Sequence, residues 1–92
     1  MTEIVRQTPV LDGDVHLLVS TVRIARGYYD TVIFDESDNK PYTGKVLPAH
    51  ESEGVTYGPY VIDKTNIRSD SRNEALFAHR EALYAARTET PA

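Results

Sequence analysis

Between Val15 and Glu36 the chain carries two apolar, β-branched runs that meet at Arg26-Gly27, and no other stretch restricts the fold as much. The first run, Val15 to Ala25, holds Val15, Leu17, Leu18, Val19, Val22 and Ile24; the second, Tyr28 to Glu36, holds Tyr28, Tyr29, Val32, Ile33 and Phe34. Such side chains pack well on a pleated surface, so both runs read as strands. Glycine supplies the positive φ of a tight reversal, which makes Arg26-Gly27 a two-residue hairpin loop. Continued without irregularity, that loop sets Ile24 opposite Tyr29, Arg23 opposite Asp30 and Val19 opposite Phe34. One face then carries Ala25, Arg23, Thr21 and Val19 with Tyr28, Asp30, Val32 and Phe34. The other carries Ile24, Val22 and Ser20 with Tyr29, Thr31 and Ile33. Both are partly apolar, so the sheet is expected to be covered on two sides, or in part by a partner subunit.

The flanking segments extend this core. Residues 4 to 11 (Ile4, Val5, Val10, Leu11) form a strand that Pro9 confines to an edge, and Asp12-Gly13 turns it into the next one. Residues 36 to 54 read as a long polar connection, with breaks at Ser37-Asp38-Asn39-Lys40-Pro41 and Pro48 and room for a short strand at Lys45 to Leu47. Val55 to Asp63 reads as a fourth strand, with Gly58-Pro59 marking a bulge or an edge.

Helix signals are confined to the end of the chain. Ser71 and Glu74 have the spacing of a capping box, with Asp70 as an alternative cap, and helix formers continue to Arg87, which predicts a helix over 71–87. At 100° per residue, Ala75, Leu76, His79, Ala82, Leu83 and Ala86 share one face, and Phe77, Arg80 and Tyr84 fall nearly opposite. The expected architecture is α+β: an antiparallel meander of three to four strands with one C-terminal helix packed on one face. A single domain spans residues 1–87, followed by a flexible tail at 88–92.

His79 is the one strongly polar side chain in the helix's apolar stripe. Read for function it is a general base or a ligand; read for structure it is a hydrogen-bonded histidine pinning helix to sheet, and the structural role is the one expected. The Phe77, Arg80, Tyr84 strip combines residue types enriched in binding hot spots with a place that one helix cannot bury, so it is the expected partner-binding surface. Six tyrosines, four of them in expected strands, serve interfaces as readily as sheet packing.

Several chemistries are excluded or disfavoured. Among 92 residues there is no cysteine, so disulfides, cysteine zinc sites and thiol nucleophiles are absent. His16, His50 and His79 lack the spacing that preorganises a metal site, and Asp35, Glu36 and Asp38 do not form a calcium loop. Ser20-Thr21 has no glycine-flanked elbow, so neither residue is expected to be a nucleophile. No metal or cofactor is expected. The net charge is −4, and residues 35–54 alone hold five acids against Lys40 and Lys45. With no basic stretch to neutralise phosphates, nucleic-acid binding is not expected. Glu3, Arg6, Pro9, Asp12 and Asp14 interrupt the apolar run that a signal peptide or membrane span needs, so a cytoplasmic protein is expected.

The chain resembles a group of small proteins from actinobacteria and their bacteriophages. The matching pieces are Val19-Ser20-Thr21-Val22, then Tyr29-Asp30-Thr31-Val32-Ile33-Phe34-Asp35 in the place of a Tyr-Glu-Thr-Met-Val-Phe strand, then Glu74-Ala75 leading to His79 where the group has Asp/Glu-Ala-x-x-Gly-His. The resemblance covers residues 18 to 86, with Ala78 in the glycine position and a shorter turn at Arg26-Gly27. It carries no activity with it, but it implies a phage or prophage setting, where small acidic proteins act by binding a host or phage protein. The expected function is therefore a non-catalytic protein-binding accessory protein, self-associated as a homodimer. The alternative is a small-molecule-binding protein or small enzyme that uses the acidic 35–54 connection and a histidine.

Overall fold

A computed structural model describes residues 2–12, 15–36, 46–62 and 66–89. The architecture is the expected α+β one: an antiparallel four-stranded sheet with the C-terminal helix packed against it. β1 (Glu3–Asp12), β2 (Val15–Ala25) and β3 (Tyr28–Asp35) follow one another as a meander. Three short elements come next, β4 (Val46–Leu47), β5 (His50–Ser52) and β6 (Val55–Tyr57), and then β7 (Tyr60–Val61). β8 (Asn66–Ser69) returns to the main sheet beside β3, giving the order β1-β2-β3-β8, and α1 (Arg72–Glu89) completes the domain.

Two strand assignments differ from the sequence reading. Val55 to Asp63 is not a fourth sheet strand: Gly58 at φ +83° followed by Pro59 divides it, so β6 pairs with β5 and β7 with β4. The fourth position is taken by β8, whose Asn66, Arg68 and Ser69 give it little apolar signature. Lys45, at the start of the expected short strand, the Gly13 of the first turn and residues 90–92 of the expected tail lie outside the described residues. The helix runs two residues beyond the expected Arg87, through Thr88 and Glu89.

The β2–β3 register also differs. Ala25 faces Tyr28 across the expected turn, where Gly27 has φ +71°, but a bulge between Arg23 and Ala25 takes up Ile24. Arg23 therefore pairs with Tyr29, Val22 with Asp30 and Val19 with Ile33. One extra residue on one strand moves everything beyond it to the other face. The outcome sorts the side chains. Leu17, Val19, Thr21, Tyr29, Thr31 and Ile33 share the helix-covered face, all of them buried.

The core forms between that face and an alanine-rich helix surface. Val10, Leu17, Val19 and Ile33 meet Ala82, Ala85 and Ala86, and Leu47, Tyr60 and Ile62 close the end of the layer. Small side chains let the helix lie close to the sheet. Ser71 caps α1 by accepting the Glu74 N–H at 3.2 Å, while the Glu74 carboxylate reaches back to accept the Asp70 N–H at 3.3 Å. The molecule measures 37 × 32 × 18 Å, so its thin dimension holds two layers.

Candidate functional site

His79 sits in the middle of α1, only 2% exposed, over β1 and β2. Its Nε2 lies 2.9 Å from the Thr8 hydroxyl and its Nδ1 lies 2.8 Å from the Thr21 hydroxyl, which in turn lies 2.9 Å from that of Thr31. The sheet register creates this arrangement by setting Thr8, Thr21 and Thr31 on the helix side of three adjacent strands. A neutral imidazole has one donor and one acceptor, and a line of hydroxyls satisfies either tautomer. Burial first, and then the nearby Arg6 guanidinium, lowers the His79 pKa. The ring links three strands to the helix while neutral, and both nitrogens are engaged.

The outer flank of α1 holds the second group. Phe77 is half-buried, stacked on Tyr57 of β6 at 5.2 Å, with the Arg80 guanidinium 4.5 Å above its ring. Tyr84 is 55% exposed and has the His50 ring of β5 at 5.2 Å. The strip is thus partly housed by the β5–β6 hairpin, a role the sequence reading did not foresee for the 36–54 connection. His50 Nε2 also lies 2.7 Å from a carboxylate oxygen of Glu81, whose side chain is 9% exposed. Glu81 was not singled out in the sequence, because it falls off the helix's apolar stripe and its partner His50 lies in what read as a polar connection. Beside it Tyr60 is buried and donates its hydroxyl hydrogen to the Ala78 carbonyl at 3.3 Å. Burial, and then the Glu81 charge, pushes the Tyr60 pKa far up, so this phenol remains a donor.

A cleft of about 280 Å³ opens between β6, β8 and the first turns of α1. Val55, Thr56 and Tyr57 form one wall, Ile67, Arg68 and Ser69 the other, with Glu74 and Ala78 between them. Neither His50 nor His79 lines it, and Glu74 is already used in the helix cap. Of the acidic connection, Asp35 ends β3 and the Glu36 N–H donates to the His16 carbonyl at 2.7 Å; Asp38 lies outside the described residues. Among the described residues no group of three histidines or acids is placed to hold a metal ion. No helix among them is long and apolar enough to cross a membrane.

No family model, no curated protein and no solved structure matches the chain.

Proposed function

We propose that this is a non-catalytic protein-binding accessory protein of phage or prophage origin, acting through protein–protein contacts and self-associated as a dimer. The observation that carries this reading is the outer flank of α1. Arg80 and Tyr84 stand exposed beside a Phe77 ring that stacks on Tyr57 and carries the Arg80 guanidinium over it, so aromatic and cationic groups are presented together. Ordering such side chains before association reduces the entropy lost on binding. The phage setting rests on the resemblance carried by the Val19–Val22, Tyr29–Asp35 and Glu74–His79 segments.

Affinity purification from the native host, run with the wild-type chain and with an Arg80→Glu, Tyr84→Ala double variant, tests the reading. One protein should be enriched with the wild type and lost with the variant at unchanged melting temperature. Equal recovery with both, or no specific protein with either, would overturn it.

The cleft between β6 and β8 supports the alternative of small-molecule binding, since its volume suits a small ligand and Thr56 and Ser69 line it with hydroxyls. A metabolite-library melt shift abolished by a cleft variant such as Thr56→Trp would favour that reading.

A further inference from the structure

The sheet has a second face, and α1 does not cover it. The register places Ile4, Val22, Asp30 and Arg68 in one row across β1, β2, β3 and β8 on this side, with Leu18 paired to Phe34 further along. Ile4 is 63% exposed and Phe34 41%, while Leu18, Val22 and Val32 between them are half-buried. Among them sits a polar anomaly: Asp30 is only 5% exposed, and its Oδ1 has no hydrogen-bond partner among the described residues. A buried carboxylate oxygen without a donor is costly to a fold and points to a group that arrives from outside. Its ladder neighbour Arg68 does not supply one. That guanidinium lies 4.8 Å over the Tyr28 ring and 3.5 Å from the Asp70 carboxylate, with its side chain 62% exposed.

One surface therefore carries both an acceptor lacking a donor and a donor open to solvent, together with an apolar field. A two-fold interface requires this kind of self-complementarity, because each patch meets its own copy. Three strands of 8 to 11 residues, with the four-residue β8 beside them, make a face of roughly 500 Å² in projection. Followed over its side chains, that approaches the lower end of the roughly 600–1,000 Å² per partner in a standard protein interface. Pairing along the β1 edge is disfavoured instead. The long edge strand β1 has a bulge between Ile4 and Arg6 and, at Pro9, no amide hydrogen to donate.

We infer that the sheet face opposite α1 is a two-fold interface with a second copy of this chain, in which Asp30 of each protomer accepts hydrogen bonds from the partner's Arg68. This rests on the proposed self-association and names its surface and its pairing.

Light scattering of the full chain at micromolar concentration should give about 20 kDa, twice the 10.3 kDa of the chain. Phe34→Asp, at an exposed position, should halve that mass with the circular dichroism spectrum unchanged. Asp30→Arg and Arg68→Asp should each be monomeric alone, since like charges then face each other twice. Mixed in equal amounts they should dimerise, because both pairs are restored across the two-fold axis. A mass near 10 kDa for the wild type throughout, or a dimer indifferent to Phe34→Asp, would overturn the inference, and so would folded single-charge variants that do not recombine. The partner-capture experiment reads the opposite side of the molecule. A monomer that still captures its partner would defeat this interface alone, and a dimer that captures nothing would defeat only the partner-binding reading.

Discussion

His79 shows what a single side chain contributes. Replacing it with alanine removes the partner of the Thr8 and Thr21 hydroxyls and leaves a void between helix and sheet, so His79→Ala should cost about 1–3 kcal/mol. A urea melt reads this as a lower midpoint at unchanged slope. The ring's pKa is lowered from the usual 6.5 by folding, which sets the sign of a pH effect. Above that value both folded and unfolded chains hold a neutral ring. As the pH falls below it, the unfolded chain takes up a proton that the folded one refuses, so stability drops until the folded pKa is reached. Between pH 7.5 and roughly 5.5 the wild type should therefore lose more stability than His79→Gln, which keeps polar contacts but cannot titrate. Equal losses would place the titration elsewhere. The location of His79 was legible, since one polar residue stood in an apolar stripe. Its partners were not, because they depend on three strands being correctly aligned. Glu81 left no sign at all, its burial coming from a hairpin distant in sequence.

Among the elements, the β2–β3 hairpin was the most legible, since glycine at the turn and β-branched flanks are local signals. Its register was not, because the bulge at Ile24 has no glycine or proline to mark it; only the gain from burying Val19 with Ile33 selects it. β8 escaped for the converse reason, being short, at an edge and mostly polar. The β6–β7 break was marked by Gly58-Pro59, and its geometry can be tested. Gly58 has φ +83°, and a Cβ there would lie 3.2 Å from the Tyr60 ring and 3.3 Å from the Tyr60 nitrogen. Tyr60 is 1% exposed and cannot swing aside. Gly58→Ala should therefore destabilise the protein by about 1–3 kcal/mol, from the left-handed backbone and the contact together. An unchanged urea midpoint would show that the 58–60 corner yields freely.

Over the whole molecule, the class of fold followed from agreement between turn, strand and cap signals, each of them local. What covers what did not follow. The stretch between β3 and β8 was read as a polar connection and one further sheet strand, yet it supplies Leu47 and Tyr60 to the core and the hairpin that flanks Phe77 and Tyr84. Burial of this kind is decided by long-range packing, which single-residue polarity does not report.

The covering helix is also synthesised well after the meander. The meander is complete at Asp35, but α1 starts only at Arg72, so a nascent chain holds its most apolar sheet face bare until residues 36–89 have been added. Hairpins close in microseconds, whereas translation adds about 5–20 residues each second, so the sheet waits some seconds for its cover. A chain ending at Ser71 reproduces that waiting state permanently. Expressed alone it should collect in the insoluble fraction, and co-expression of residues 66–92 as a separate peptide should return part of it to solution. A truncated chain that stays soluble and monomeric would mean that the bare meander shields itself during synthesis. The interval between sheet and helix is thus a window in which a holdase, or a neighbouring nascent copy, competes with α1 for the same surface.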